Sequence, residues 1–214
     1  MQNKIFISFF CFLCVVLGCS SEEKKRTTVK EFYSQISTQL YTEGNIEQVK
    51  KLLAEADAQF ESDKQWAKLS ARFRNDASVI GKSAPEALEV SWLANKANID
   101  TQSGTLLIIF WELWCPHCRN EVPALETLYQ EFQPKGLQMV GLTRMSRDIS
   151  TANVKDFIKE EKISYPMAKT GTAAGKYFSV SGIPAAVVLN HGKVVWKGNP
   201  KALPHSKLTD WLSN

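Results

Sequence analysis

An unbroken apolar run, Leu106-Leu107-Ile108-Ile109-Phe110-Trp111, is separated by three residues from Cys115-Pro116-His117-Cys118, and a helical pattern starts near Arg119. Four to eight apolar residues closed by a turn read as a buried strand. Strand, cysteine pair and helix in this order restrict the fold more than anything else in the chain. The start of a helix carries unpaired N–H groups and the positive end of the peptide dipoles, which favour thiolate over thiol at Cys115. Cys118, one turn along, is placed to close a disulfide with it. The spacing predicts a redox-active dithiol. A zinc half-site and a structural disulfide are the competing readings. Zinc asks for two more cysteines or histidines at ligand spacing, and no second pair follows residue 118.

Five cysteines occur, and three of them lie in the first nineteen residues. Cys11 and Cys14 share the same spacing but sit in Ile5 to Leu17, an apolar stretch interrupted only by Ser8 and preceded by Lys4. A basic start, a short apolar core and a small residue at its end describe a secretory signal. A membrane span needs roughly 20 apolar residues, more than this stretch holds. It closes in Val16-Leu17-Gly18-Cys19, which resembles a bacterial lipobox with Val16 where leucine is usual. The resemblance implies cleavage before Cys19, diacylglycerol on its sulfur and acylation of the new amino terminus. A plain cleaved signal is the alternative. Several acyl chains would anchor the protein stably where one holds only marginally. The expected product is extracytoplasmic, tethered to a lipid membrane through Cys19 and facing the periplasm, with Ser20 pointing to the outer membrane. Losing Lys4 lowers the formal charge from +4 to +3, and without a long basic run nucleic acid is not suggested as a partner.

The expected organisation is a signal over 1–18, a charged tether over 19–27, a helical region over 28–78 and an α/β domain over 79–214. In the helical region Val29, Phe32, Tyr33, Ile36 and Leu40 recur at helical spacing. After Gly44-Asn45 come Ile46, Val49, Leu52, Leu53, Ala56 and Phe60, and Trp66, Leu69 and Phe73 suggest a third, shorter stripe. Such stripes must be buried, on each other, on the following domain or on a partner. Beyond residue 79 the patterns predict strands at Leu88–Leu93, Thr105–Trp111 and Leu137–Thr143, and helices at Pro116–Gln133 and Thr151–Glu161. A short helix around Ala173–Phe178 follows, then two strands, Ala185–Leu189 and Lys193–Trp196, joined by the turn signal Asn190-His191-Gly192. A last helix, Ser206–Leu212, closes the chain. Helices interleaved with strands and ending in a hairpin indicate an α/β fold around a mixed sheet. Trp92 and Trp111 are assigned to its core.

Several segments in this order carry a resemblance. They are Gly81-Lys82-Ser83-Ala84-Pro85, Phe110-Trp111-Glu112-Leu113-Trp114-Cys115-Pro116-His117-Cys118, Arg119-Asn120-Glu121-Val122-Pro123-Ala124-Leu125, Gly136 to Gly141, and Gly182-Ile183-Pro184. Residues 81–198 resemble the thioredoxin fold, and specifically the TlpA/ResA-like family of membrane-tethered thiol–disulfide oxidoreductases. The resemblance implies a thioredoxin-like mixed sheet flanked by helices, with the helical region outside it. It implies a cis bond at Pro184, in a loop opposite the dithiol, leaving the Ile183 backbone to pair with an extended substrate segment. It implies that Glu121 takes the proton of Cys118, against the alternative of a solvated helix glutamate. Position 109, a buried acid in thioredoxin itself, is Ile109 here. Glu112 stands where the family has a small residue, as a salt-bridge partner or a modulator of the site.

Around the pair, Trp114 is expected as exposed substrate surface, Cys115 as the solvent-facing attacking thiol and Cys118 as the resolving one. Pro116 and His117 are the residues that tune the redox poise. An imidazole beside Cys115 stabilises the thiolate and makes the disulfide more oxidising, whereas the family resemblance points to a reductase. Pro123 is expected to kink the helix. His191, His205 and Met145 show no ligand spacing, so no metal is assigned, and the only cofactor is the Cys115–Cys118 disulfide itself. Three functions stay open. One is a lipid-anchored reductase of exported protein thiols, served by a membrane thiol electron donor, with apocytochrome c or copper-delivery clients. The others are a disulfide-forming oxidant and a non-catalytic binding module.

Overall fold

The computed structural model describes residues 29–213; the expected signal, the tether and Cys19 lie outside the described residues. Among the described residues there are six strands: β1 (Val90–Ala94), β2 (Thr105–Trp111), β3 (Leu137–Thr143), β4 (Met167–Thr170), β5 (Ala185–Asn190) and β6 (Lys193–Gly198). They form one mixed sheet in the order β1-β4-β3-β2-β5-β6. β2, β3 and β4 run parallel, while β1, β5 and β6 pair antiparallel with their neighbours. The fold is thioredoxin-like, as the sequence predicts.

Every residue of β2 is buried, because β2 is central and covered on both faces. Leu107, Ile109 and Trp111 point to one side, into a core with α4 (Pro116–Phe132), α5 (Thr151–Glu160) and Leu208 of α7 (His205–Ser213). Leu106, Ile108 and Phe110 point to the other, where they meet Val79 and Phe178, the residue following α6 (Ala173–Tyr177). At the β5–β6 hairpin His191 and Gly192 both take positive φ, 46° and 73°, the pair of values a two-residue type I′ turn needs.

Several expectations need correction. β4 was not anticipated from the sequence: Met167-Ala168-Lys169-Thr170 is short and has no alternating apolar pattern. It becomes a strand because β3 and β1 flank it on both edges. β1 starts two residues later than predicted, and Trp92, assigned to the core, is half-buried on this edge strand. Tyr33 is exposed rather than part of the buried stripe, its ring lying 5.4 Å from that of Phe73.

The helical region forms three helices. Residues 29–37 are α-helical and pass into a π-helical turn, Thr38–Glu43, making α1; α2 (Ile46–Gln59) and α3 (Lys64–Ala77) follow. Gly44, at φ 71°, ends α1, and the Asn45 side chain accepts from Gln48 N at 3.1 Å to start α2. Asp63 caps α3 through Gln65 N and Trp66 N. α3, expected to be short, has 14 residues, as many as α2. Ile36, Leu40, Val49, Leu53, Phe60, Trp66 and Phe73 make a separate small core. The unit also docks on β6 and the loop before β5. Trp196 Nε1 donates to Tyr41 O at 3.0 Å, Lys197 pairs with Asp76 at 3.0 Å, and Asn75 Nδ2 donates to Ser179 O at 2.8 Å. Among the described residues no helix is long and apolar enough to cross a membrane.

Candidate active site

Cys115 is the N-cap of α4 and Pro116 its first helical residue, a position where the fixed φ of proline and its missing N–H cost nothing. The Cys118 N–H donates to Cys115 Sγ at 3.3 Å, and Cys115 N–H donates to Glu112 O at 3.1 Å. The sulfur thus occupies the place usually taken by an N-capping oxygen, where amide dipoles favour negative charge. Both thiols are free. Cys118 is wholly buried and, contrary to the expectation that it faces solvent, Cys115 is only 5 % exposed. Cys115 forms part of the floor of a cleft and is reached through it.

The two thiols differ electrically. Burial, reinforced by the Cys115 hydrogen bond and by the charges of Cys115 and Glu112, pushes the Cys118 thiol up to about 12, although a backbone contact from Glu112 pulls it the other way. Cys118 therefore stays protonated at neutral pH.

The Ile183–Pro184 peptide is cis, as the sequence resemblance implies, and its loop faces the dithiol: Cys115 Sγ lies 3.9 Å from Ile183 O. Between them opens a cleft of about 880 Å³, bordered by Trp114, His117, Arg144, Lys176, Ser181 and Gly182. Pro116 and His117 are exposed at its rim. Trp114 lines the cleft but is half-buried, which corrects the expectation of an open surface. Its indole N–H donates to Ser146 Oγ at 2.9 Å, and the Arg147 guanidinium stacks on its ring at 3.6 Å.

Glu121 is buried and not a solvated helix residue; its carboxylate lies 3.3 Å from Lys201 Nζ. Glu112 is more deeply buried, at 1 % exposure. Its Oε2 accepts from Ser146 N at 3.1 Å and Thr143 Oγ1 at 3.3 Å. Its Oε1 lies 3.4 Å from Arg144 Nε in an ion pair, outside hydrogen-bond geometry. The carboxylate whose charge raises Cys118 is that of Glu112. His191 sits in the β5–β6 turn, and His205, at the start of α7, lies against Glu131 and Phe132, so neither is near the dithiol. Among the described residues no group of three potential ligands could hold a metal ion.

Residues 80–197, more than half of the chain, match the AhpC/TSA family. The chain belongs to the AhpC/TSA family. It is a thiol–disulfide oxidoreductase of the kind its similar relatives represent. It is 30% identical over 121 residues to the thiol-disulfide oxidoreductase ResA of Bacillus cereus, covering 55% of this chain and 68% of that one. It is 23% identical over 116 residues to the sporulation thiol-disulfide oxidoreductase A of Bacillus subtilis, covering 53% of this chain and 70% of that one. Among solved structures, the thioredoxin domain of a thiol-disulfide oxidoreductase from Bacteroides vulgatus superposes with a TM-score of 0.52 at 22% identity, covering 62% of this chain and 97% of that one. A thioredoxin-like protein in the oxidized form gives 0.52 at 19%, covering 62% and 96%. The matched AhpC/TSA segment contains the dithiol, Glu112, Glu121 and the cis-proline loop, and leaves the helical unit outside.

Some cleft residues had no signal in the sequence. Asn75 of α3 and Arg144 after β3 line the cleft, while Ser146 and Arg147 of the same turn hold Trp114 at its border; only folding brings them there.

Proposed function

We propose that the chain is a lipid-anchored, extracytoplasmic reductase of protein disulfides, with Cys115 as attacking and Cys118 as resolving thiol. The observation that carries this reading is the asymmetry of the pair. Cys115 Sγ receives an amide N–H and opens into the cleft, while Cys118 is sealed behind it with its thiol held protonated. The Cys115 thiolate attacks a client disulfide, whose S–S bond breaks, and the departing client sulfur takes the electron pair and then a proton. Cys118 gives its proton to a carboxylate and attacks Cys115 Sγ, which breaks the mixed disulfide and frees the second client thiol. The carboxylate passes that proton to the freed client sulfur, solvent supplies the other client proton, and the dithiol has given the client two electrons. A membrane thiol donor returns them.

Burial of Glu112, with Oε1 outside any hydrogen bond and its charge acting on Cys118, supports Glu112 as the proton acceptor ahead of Glu121, whose carboxylate faces Lys201. The backbone of Ile183 beside Cys115 supports reading of an extended client segment by strand addition, with Trp114 and Pro184 bordering it. The TlpA/ResA resemblance supports clients of the cytochrome c or copper-protein kind. His117 at the rim favours a second reading, a disulfide-forming oxidant, since whatever stabilises the thiolate favours oxidation of a partner.

Two experiments test the proposal. Cys118→Ser should trap mixed disulfides through Cys115, whereas Cys115→Ser should trap none; the reverse pattern overturns the roles. Equilibration of the pair against glutathione gives its potential, and a value well above the glutathione couple makes the chain an oxidant. For the anchor, Cys19→Ala should abolish palmitate labelling, and unchanged labelling removes that part of the reading.

A further inference from the structure

The cis-proline loop has two sides, and the helical unit reaches both. On the dithiol side Asn75 joins the wall of the main cleft. Its side chain donates to Ser179 O at 2.8 Å and to Ser181 Oγ at 3.3 Å, and Lys197 Nζ donates to the same Ser179 O at 2.7 Å. On the other side lies a second cleft of about 300 Å³, bordered by Arg72 and Asp76 of α3, Ser181 to Ala185 of the loop, and Lys197 to Asn199. The two clefts share Val180 to Ile183, so a chain paired with the Ile183 backbone passes from one into the other.

Charge in the second cleft is unbalanced. Asp76 is its carboxylate, and it is already engaged by Lys197 at 3.0 Å and by the Tyr41 hydroxyl at 2.9 Å. Arg72 approaches Asp76 only to 4.0 Å, through Nε, and its side chain is 60% exposed. Two cations face one carboxylate, and the Arg72 fork is left for a ligand. A planar guanidinium beside an open groove suits a carboxylate.

We propose that the helical unit completes the substrate site: α3 holds the cis-proline loop in place through Asn75, and Arg72 forms a subsite for an acidic side chain of the extended polypeptide that Cys115 attacks. This rests on the disulfide-exchange reading above. It assigns the unit a role in selecting clients, beyond packing.

The test compares two disulfide-linked peptides, identical except for glutamates or lysines at the residues flanking the cysteine. The full chain in its dithiol form should reduce the glutamate peptide with a kcat/KM about three- to fivefold higher, the range of an exposed ion pair, with the difference in KM. Raised salt should shrink the ratio. In Arg72→Glu the ratio should fall below one; because a ratio is read, a general loss of activity cancels. Absence of any preference in the wild-type chain, or a preference that survives Arg72→Glu, overturns the subsite. Dithiobisnitrobenzoate, too small to span both clefts, separates the two levels. A chain that reduces it but does not discriminate the peptides loses the subsite alone, whereas a chain inert towards it loses the exchange reading and the subsite with it.

Discussion

At the dithiol, burial does most to raise the Cys118 thiol, and the Glu112 charge adds to it. Glu112 stands where a small side chain is usual, and its burial leaves a carboxylate in a poorly solvated place held by Ser146 N, Thr143 Oγ1 and the Arg144 ion pair. A negative charge there opposes a second one on Cys118. Glu112→Gln keeps the shape and an oxygen acceptor but removes the charge, so the Cys118 thiol should fall below its value of about 12. The pH dependence of Cys118 alkylation, with Cys115 replaced by Ala in both proteins, reads the shift. If Glu112 also accepts the proton, the same variant should release trapped clients more slowly at neutral pH despite the lower pKa. The sequence marks Glu112 as unusual, but only its burial shows which group it acts on.

Among the elements, β6 joins the sheet to the helical unit, and Gly198 at its end lies against Tyr41 of that unit. A Cβ there would stand 2.9 Å from two ring carbons of Trp196 and 3.1 Å from Tyr41 Cδ1. Both rings are held, Trp196 in the core and through its N–H on Tyr41 O, so neither yields easily. Gly198→Ala should therefore cost about 1–3 kcal/mol, the usual range for overpacking, seen as a lower urea midpoint with an unchanged slope. β4 shows the opposite relation between sequence and structure. Nothing in Met167-Ala168-Lys169-Thr170 demands a strand, but bare Gly141 opposite lets Met167 Sδ occupy the space a Cβ would take, and β1 closes the other edge. Strand propensity is a matter of fit to neighbours, which a four-residue segment does not display by itself.

For the whole molecule, the joint between unit and sheet is a buried ion pair. Lys197 and Asp76 are 2% and 9% exposed in their side chains, and burial holds the Lys197 ammonium below the usual lysine range while Asp76 works to restore it. Removing one partner leaves the other buried and unpaired, so Asp76→Ala should cost about 3–5 kcal/mol, whereas the double variant Asp76→Leu with Lys197→Met should recover most of it. The sign with pH follows from linkage. Where the folded chain has released the Lys197 proton and the unfolded chain still binds it, up to the ordinary value of 10.5, stability rises with pH. The deficit of Asp76→Ala should accordingly shrink as pH is raised, which urea unfolding across neutral to alkaline pH measures. The apolar run, the Cys-Pro-His-Cys spacing, the helical stripes and the Asn-His-Gly turn are properties of neighbouring residues, so the central strand, the dithiol at a helix start and the helical character of the first region are legible in them. The cleft, the effect of the Glu112 charge on Cys118, the pairing of Glu121 with Lys201, the burial of Cys115, and the reach of Asn75 and Arg72 to the cis-proline loop join residues from different elements, Asn75 and Ser181 lying 106 positions apart. These follow from the folded chain, because burial and field strength depend on which distant side chains exclude water from a group, and no local pattern encodes that.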